Sequence, residues 1–254
     1  MTDKPHRPLH ALVMGGSSGI GLAVARRLLR DDAKVVVVGR DPERGAAALA
    51  TLNSKNVTFR SGDAGDPVQC QDLVDGAVDY LGRIDALFSC AGGNPMPRLL
   101  KDIPLDDLMG QVNRSLTPTI LPARAVLPVM STQGYGSIVC IASDAGKIAT
   151  PGETAISAAM AAIIMFCRTM ASEVKRQGVR VNCVTPSIVE GTELHDRLMD
   201  DPFSSRLFGK AKTLAHLGVA QPEDLAELAV FLGGPMSAKI TGQAISVSGG
   251  ISAI

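Results

Sequence analysis

The sequence predicts a single α/β domain whose core is a doubly wound parallel sheet of about seven strands, with helices on both faces. Short runs rich in β-branched residues alternate with longer helical patterns along the whole chain, and this alternation is typical of a parallel sheet covered on both sides. Two runs, VVVV from Val35 and SIVCIA from Ser137, are almost continuously apolar, as expected for strands buried on both faces. No linker in residues 1–254 is long enough to separate two domains.

Seven runs are predicted as strands, and they are, in chain order, ALVMG from Ala11, VVVVG from Val35, NVTF from Asn56, DALFS from Asp85, GSIVCIA from Gly136, VRVNCVT from Val179 and AISVS from Ala244. Helical patterns fill most of the intervals between them. The least regular stretch, about 187–214, contains Gly191, Pro202 and Gly209. Irregular segments of this length often close over ligands, so this one is predicted to be a lid.

Charge and composition narrow the classes of partner. Lys plus Arg and Asp plus Glu number 25 each, and no basic run is present, so the electrostatic pattern of a nucleic-acid or anionic-membrane binder is absent. The N-terminal MTDKPHRPLH lacks the apolar core of a secretory signal, and no apolar run reaches membrane-spanning length. The partner is therefore expected to be a small molecule.

Cysteine and histidine spacing bears on compartment and metals. The cysteines form no CxxC pair, and an odd, scattered set suits a reducing compartment better than a disulfide framework; they are Cys70, Cys90, Cys140, Cys167 and Cys183. We therefore expect a cytoplasmic protein. The histidines show no metal-ligand spacing, so no metal site is predicted; they are His6, His10, His195 and His216.

The first motif with chemical content is GGSSGIG, Gly15 to Gly21, which follows the first strand and opens the helical pattern LAVARRLLR. Glycines there allow a tight turn and a close approach of backbone N–H groups to a pyrophosphate, whose charge also meets the positive end of the helix dipole. The alternative is a glycine-rich turn that binds no ligand.

The spacing Gly15-xxx-Gly19-x-Gly21 resembles the TGxxxGIG motif of short-chain dehydrogenases/reductases, and the resemblance continues over nearly the whole chain. The other matching segments are GDAGD with Asp63, AGG at 91–93, QVNRSL with Asn113, IVCIASDAG with Ser143, VRVNCVTPS from Val179 and ITGQAISVSGG from Ile240. The resemblance implies a Rossmann-like fold, a nicotinamide dinucleotide, and hydride transfer involving a small carbonyl or alcohol substrate.

The same resemblance implies roles for individual residues. The residues that would contact the pyrophosphate, the adenine, the ribose or the nicotinamide of the dinucleotide are Gly15, Ser17, Ser18, Gly19, Ile20, Gly21, Asp63, Ala64, Ala91, Gly92 and Ile188. Ser143 and Asn113 are the matched members of the family's catalytic set.

The end of the second strand bears on the choice between NAD(H) and NADP(H). Relatives that prefer NAD usually carry an acid where this chain has Gly39, and Arg40 follows. A guanidinium there can pair with a 2′-phosphate, so NADP(H) is favoured over NAD(H). The alternative is that Arg40 is a solvated residue before a helix that Asp41 caps and Pro42 begins.

The family's PGxxxYxxxK helix is altered at both catalytic positions. With Pro151 and Gly152 aligned, Ile156 stands at the tyrosine position and Met160 at the lysine position. No shift of register restores the pair, because the only tyrosines are Tyr80 and Tyr135, outside this helix. In the family the tyrosine protonates the substrate oxygen and the lysine holds the nicotinamide ribose, so proton transfer needs another group and cofactor binding is expected to weaken.

Several groups near the predicted mouth of the cleft are candidates to replace the tyrosine as proton donor, and each has an ordinary structural interpretation as well. They are Glu153, Asp144, Lys147, Glu193 and His195. Glu153 reads as a first-turn carboxylate facing the helix dipole, Lys147 as a solvated loop charge and His195 as a surface residue of the lid. The sequence selects none of them.

The helix that lost the dyad, SAAMAAIIMFCRTMASEV, is apolar over more than one face. In relatives this helix packs against its copy, so a homo-oligomer, dimer or tetramer, is expected, with a mixed oligomer containing a relative also open. Three functions remain: an NADP(H)-dependent oxidoreductase with a non-standard proton donor, a catalytically silent cofactor-binding subunit or regulator of an active relative, and a non-redox lyase or isomerase that reuses the pocket.

Overall fold

The computed structural model of the chain describes residues 7–253. Two expectations concern residues outside that range: that the start of the chain, MTDKPH, lacks the apolar core of a secretory signal, and that His6 has no metal-ligand spacing with the other histidines.

The sheet has seven strands, as predicted, and all neighbouring pairs are parallel. The spatial order is β3-β2-β1-β4-β5-β6-β7. The strands are β1 His10–Met14, β2 Lys34–Gly39, β3 Val57–Ser61, β4 Ala86–Ser89, β5 Gly136–Ile141, β6 Val179–Pro186 and β7 Ala244–Val247. The strand order reverses beside β1, and in such sheets ligands bind outside the carboxyl ends of the strands at that point.

Eight α-helices connect the described strands or follow them. They are α1 Gly19–Arg30, α2 Pro42–Leu52, α3 Pro67–Leu81, α4 Leu108–Gln133, α5 Thr154–Val174, α6 Glu193–Asp200, α7 Pro202–Lys212 and α8 Pro222–Gly233. Asp and Pro begin several of them for a local reason: Asp41 caps α2 and Asp66 caps α3, each directly before a proline whose missing N–H would have had no partner.

Two hydrophobic cores lie on opposite faces of the sheet because successive residues of a strand point to opposite sides. On β1, Leu12 and Met14 join the core beneath α3, α4 and α5, while Ala11 and Val13 join the core beneath α1 and α8. The predicted doubly wound α/β domain is therefore confirmed.

Helix α5 corrects one expectation about length. With the turn that follows it, Thr154–Gln177 is long and apolar enough to cross a membrane by length and composition, with a mean hydropathy of 1.6 in its most apolar window. Half of that window is buried in the molecule, and Ile163, Cys167 and Met170 belong to the core beneath the sheet. The apolar character of α5 thus reflects its position as a core helix.

Candidate active site

A cleft of about 1170 Å³ opens at the carboxyl ends of the central strands, and α6 and α7 contribute to its wall. Every residue predicted to bind cofactor or to act in catalysis lines it, together with the two altered positions of α5: Gly15, Ser17, Ser18, Gly19, Ile20, Gly21, Arg40, Asp63, Ala64, Ala91, Gly92, Asn113, Ser143, Ile156, Met160 and Ile188. One cavity therefore collects groups that lie far apart along the chain.

The glycine-rich turn has the backbone shape that a pyrophosphate requires. Gly15 and Gly19 have φ values of 75° and 50°, in the left-handed region that favours glycine. A Cβ on Gly15 would lie 2.7 Å from the backbone nitrogen of Ala91, whereas a Cβ on Gly19 would meet only Cγ2 of Thr192, at 3.7 Å. The turn is packed on its inner side and open towards the cleft, so these residues fit a dinucleotide pyrophosphate at the start of α1.

The end of β2 leaves little space for the acid of NAD-preferring relatives. A Cβ on Gly39 would lie 2.7 Å from Oγ of Ser17. The Arg40 side chain is exposed, and its guanidinium makes no hydrogen bond or ion pair with any residue from 7 to 253. Asp41 caps α2 through Glu43 N at 2.9 Å and Arg44 N at 3.3 Å. Asp41 thus caps α2 and Pro42 begins it, as the alternative interpretation expected. The Arg40 guanidinium has no partner among the described residues.

Asp63 is tied into the loop that follows β3. Its Oδ1 accepts a hydrogen bond from the backbone of Gly65 at 2.8 Å, and its own backbone N–H donates to Oε1 of Gln69 at 3.0 Å. Ala64 beside it is buried. This loop lines the cleft beside Arg40, since β2 and β3 are neighbours in the sheet, and it is the place where the resemblance puts adenine.

The segment predicted as a lid contains α6 and α7 and is held at its beginning. Oγ1 of Thr192 caps α6 by accepting from His195 N at 3.1 Å. Glu193 accepts two hydrogen bonds from Arg44, at 2.8 and 3.1 Å, and the Arg44 guanidinium lowers the pKa of the Glu193 carboxyl. The lid therefore begins directly over the glycine-rich turn and is anchored to α2.

Ser143 and Asn113 lie where a substrate could reach them. Oγ of Ser143 accepts a hydrogen bond from Ala145 N at 3.1 Å, which leaves the hydroxyl proton free to donate into the cleft. Asn113 is exposed on α4, its backbone carbonyl accepts from Oγ1 of Thr117, and its side chain makes no hydrogen bond with the described residues. Both side chains are thus available to a ligand.

The altered helix positions form an apolar wall. Ile156 and Met160 are each 9% exposed, line the cleft and also belong to the core beneath the sheet. Neither side chain carries a proton or a charge, so the wall that resembles the family's catalytic helix contributes packing and no acid.

Glu153 departs from its sequence-based interpretation as a first-turn carboxylate. The residue stands at the N-cap position of α5 but makes no capping hydrogen bond with its side chain. It is 8% exposed and lines the cleft. Burial raises the pKa of its carboxyl, against an opposing effect of the hydrogen bond with Thr150. Glu153 is therefore a desolvated acid among the residues that line the cleft, three residues before Ile156.

Lys147 was expected to be a solvated loop charge, and the structure corrects this. Nζ of Lys147 donates to Oγ of Ser246 at 2.8 Å and to the Ala244 carbonyl at 3.1 Å. Both carboxylate oxygens of Asp144 accept hydroxyl hydrogen bonds at 2.7 Å, from Ser246 and Ser252. A polar network thus joins the loop after β5 to the C-terminal segment, and the charged groups of both Lys147 and Asp144 are hydrogen-bonded within it.

His195 is likewise less exposed than expected of a surface residue, since its side chain is 14% exposed. Its Nδ1 lies 3.3 Å from Oδ1 of Asp196 and its Nε2 lies 3.2 Å from Nζ of Lys212. Lys212 also pairs with Glu190. The imidazole is therefore held within the lid by groups of the lid.

Comparisons of sequence with known proteins agree with this architecture. The family profile described as short chain dehydrogenase matches residues 9–202. The 3-oxoacyl-(acyl-carrier-protein) reductase FabG of Chlamydia pneumoniae is 33% identical over 245 residues, which cover 94% of this chain and 95% of the relative.

Solved structures agree as well. An NADPH-bound short chain oxidoreductase of Pseudomonas aeruginosa PAO1, described as containing an atypical catalytic center, superposes with a TM-score of 0.87 at 30% identity and covers 96% of both chains. A short-chain dehydrogenase/reductase of Burkholderia xenovorans superposes with a TM-score of 0.90 at 30% identity, covering 98% of this chain and 99% of the other.

Proposed function

This chain belongs to the short-chain dehydrogenase family, and we propose that it is an NADP(H)-dependent oxidoreductase acting on a small carbonyl or alcohol with a proton donor other than the family tyrosine. The observation that carries the proposal is a single cleft that contains the glycine-rich turn, the free guanidinium of Arg40 and the hydroxyl of Ser143. A nicotinamide dinucleotide bound there supplies or accepts the hydride.

The preference for NADP(H) rests on Arg40. The cleft contains no acid at position 39, and the adjoining guanidinium is unpaired among the described residues, so a 2′-phosphate would meet a free cation there. The structural relative from Pseudomonas aeruginosa PAO1 is described as NADPH-bound, which supports the same choice. Binding is expected to be weaker than in members that keep the lysine, because Met160 cannot hold the nicotinamide ribose.

The roles of the remaining residues follow from their positions. Ser143 would hold the substrate oxygen through its hydroxyl proton, and Asn113 would offer its amide near the same end of the cleft. Ile156, Met160 and Ile188 would exclude water from the reacting centre, since all are at least nine-tenths buried and apolar. The Chlamydia pneumoniae relative is named as a reductase of 3-oxoacyl groups, which supports a carbonyl as the reacting group.

A second candidate, a catalytically silent cofactor-binding subunit or regulator, is favoured by the apolar wall of Ile156 and Met160. In either case we propose a homo-oligomer that assembles through α5, because Ala158, Ala161 and Met165 are exposed on that helix. A cytoplasmic location is proposed on the five free thiols, which suit a reducing compartment.

Calorimetric titration of the purified protein with NADPH and separately with NADH tests the proposal first. Micromolar or tighter binding of NADPH, clearly stronger than that of NADH, is the expected result. Stopped-flow measurement of NADPH oxidation with diacetyl, ethyl acetoacetate and phenanthrenequinone then separates the two candidates. NADPH binding without oxidation favours the silent subunit, and no binding of either dinucleotide contradicts both.

A further inference from the structure

Carbonyl reduction in this cleft needs a source for the proton that the family takes from tyrosine. The two tyrosines of the chain lie elsewhere: Tyr80 is in α3 and Tyr135 precedes β5, and neither lines the cleft. Ile156 and Met160 hold no proton that could be transferred. The question rests on the proposed function, and the acids and bases of the described cleft provide the candidates.

Groups at the adenosine end do not qualify. Asp41 is engaged as the cap of α2, and Asp63 accepts from Gly65 in the loop after β3. The arginines of the cleft stay protonated at any relevant pH and are not proton donors.

Four further groups that line the cleft are also occupied or unsuitable. Asp144 accepts two hydroxyl hydrogen bonds and faces Lys147 at 3.5 Å, so both of its oxygens already have partners. Glu193 is kept ionised by Arg44. Burial raises the pKa of the Cys90 thiol to about 12, far from the range in which general acids work at neutral pH. Both ring nitrogens of His195 face lid residues.

Glu153 has the properties that these groups lack. It is 8% exposed and lines the cleft one turn before Ile156 on the same helix. Within residues 7–253 its carboxyl forms no ion pair. The neighbouring segment contributes Arg98, whose backbone N–H donates to the Gly152 carbonyl at 2.7 Å, and α7 contributes the uncharged ring of Phe203.

Only two effects act on this carboxyl. Burial raises its pKa, and the hydrogen bond with Thr150 opposes that shift; no charged group of the helices and loops packed around it contributes. A carboxyl that is desolvated and uncompensated by a cation holds its proton to higher pH than a solvated one. The same combination turns glutamates into general acids in other enzymes.

We propose that Glu153 is the catalytic acid of this protein, in place of the family tyrosine. The carbonyl carbon of the substrate would receive a hydride from bound NADPH, which would be oxidised to NADP⁺, and the carbonyl oxygen would take the proton of the Glu153 carboxyl, so that an alcohol leaves and a carboxylate remains. Water reprotonates the carboxylate through the mouth of the cleft. In the reverse direction the carboxylate accepts the proton of the alcohol.

A spectroscopic titration tests the proton-holding property without depending on a substrate. Difference infrared spectra of wild type and Glu153→Gln, recorded in the complex with NADPH over a pH series, report the carboxyl C=O band of Glu153. The expected midpoint lies above about 4.3, the value of a solvated glutamate. A midpoint at that ordinary value would overturn the proposal. Glu173→Gln, the same substitution at an exposed site near the other end of α5, is the control.

Turnover of the carbonyl probes named above then separates this proposal from the function on which it rests. Glu153→Gln is expected to lower kcat/KM about a hundred- to ten-thousandfold with unchanged Kd for NADPH, and to remove the fall in wild-type kcat/KM at high pH. Wild-type turnover that Glu153→Gln preserves would overturn the role of Glu153 and leave the oxidoreductase standing. A wild type that binds NADPH but reduces no probe would overturn the oxidoreductase itself, and the acid role with it.

Discussion

Arg44 in the first turn of α2 and Glu193 at the start of α6 form a bidentate ion pair that joins α2 to the segment proposed as a lid. The two hydrogen bonds measure 2.8 and 3.1 Å. The side chains are 53% and 50% exposed, so water screens the pair and its contribution to folding is small. Its main consequence is positional, because it fixes the beginning of the lid beside Arg40.

Glu193→Gln is expected to raise the affinity for NADPH relative to NADH. The substitution removes a carboxylate from the end of the cleft proposed for the 2′-phosphate and frees the Arg44 guanidinium to contact it. Calorimetry at low and high salt should show a several-fold gain for NADPH that shrinks as salt rises. Glu223→Gln, which breaks the exposed pair with Arg26 outside the cleft, should change neither affinity. Equal losses for both dinucleotides would instead assign the pair to holding the lid.

Arg40→Leu is expected to weaken NADPH binding about ten- to a hundredfold while leaving NADH binding unchanged. A hydrogen bond to a charged group contributes about 1.5 to 3 kcal/mol, and about 1.4 kcal/mol corresponds to a factor of ten. The two dissociation constants are measured by calorimetry, with Arg176→Leu at an exposed turn far along the chain as the control. Unchanged NADPH affinity would make Arg40 a solvated residue before α2.

Removing the ionisable group at Glu153 should change how stability depends on pH. Burial raises the pKa of this carboxyl in the folded protein, whereas an unfolded chain titrates it near about 4.3. The folded state therefore holds the proton to higher pH, and wild-type stability falls as the pH rises from the unfolded pKa through the folded one. The melting temperature of Glu153→Gln relative to wild type should rise across that window and level off above it. A difference that is constant with pH would mean that Glu153 titrates alike in both states.

Met165→Glu is expected to reduce the oligomeric state. Met165 is 57% exposed on α5, beside the small exposed residues Ala158, Ala161 and Ala162, so a charge there would be desolvated in an interface between copies. Sedimentation velocity at several concentrations measures the change. Val68→Glu at a more exposed apolar site on α3, 71% exposed, is the control. A variant with the wild-type sedimentation coefficient would place the interface elsewhere.

The fold and the binding end of the cleft could be predicted because they depend on local patterns. Runs such as VVVV from Val35 identify buried strands, and the glycines of GGSSGIG require backbone conformations that other residues avoid. Burial of a polar side chain is a different matter, since it depends on what the rest of the fold places around it. From the sequence, Glu153 is interpreted as a carboxylate at the start of a helix. Only the structure shows that neighbouring segments pack over it and desolvate it.

Long-range polar pairs escaped prediction for the same reason. Asp144 and Lys147 are close in sequence, but their partner Ser246 comes from the last strand and Ser252 from the C-terminal segment. Arg44 belongs to no sequence motif, and its partner Glu193 lies far along the chain on α6, so the pair could not be predicted from the sequence. The sequence offered Glu153 as one of several candidate proton donors. The structure favours it because the other candidates already have hydrogen-bond partners.

Ile156→Tyr together with Met160→Lys, introduced into Glu153→Gln, is expected to restore part of the hydride transfer that the single variant loses. Both side chains already line the cleft, so a phenol at position 156 would be placed to protonate the same substrate oxygen as Glu153, with the ammonium at position 160 beside it. The lysine would lower the pKa of the phenol from its reference value of about 10 towards the working range. Stopped-flow oxidation of NADPH with the carbonyl probes measures the recovery.

The same double substitution in the wild-type background is the matched comparison, and it should give a smaller gain, because Glu153 already supplies the proton. Met160 is 9% exposed within the core beneath the sheet, so a lysine there must extend into the cleft or lower stability; melting temperatures are therefore recorded alongside. Recovery confined to the Glu153→Gln background would mean that the phenol and the carboxyl perform one and the same step. A folded variant that binds NADPH but shows no recovery would contradict a shared substrate oxygen, since the restored dyad would then have nothing to protonate.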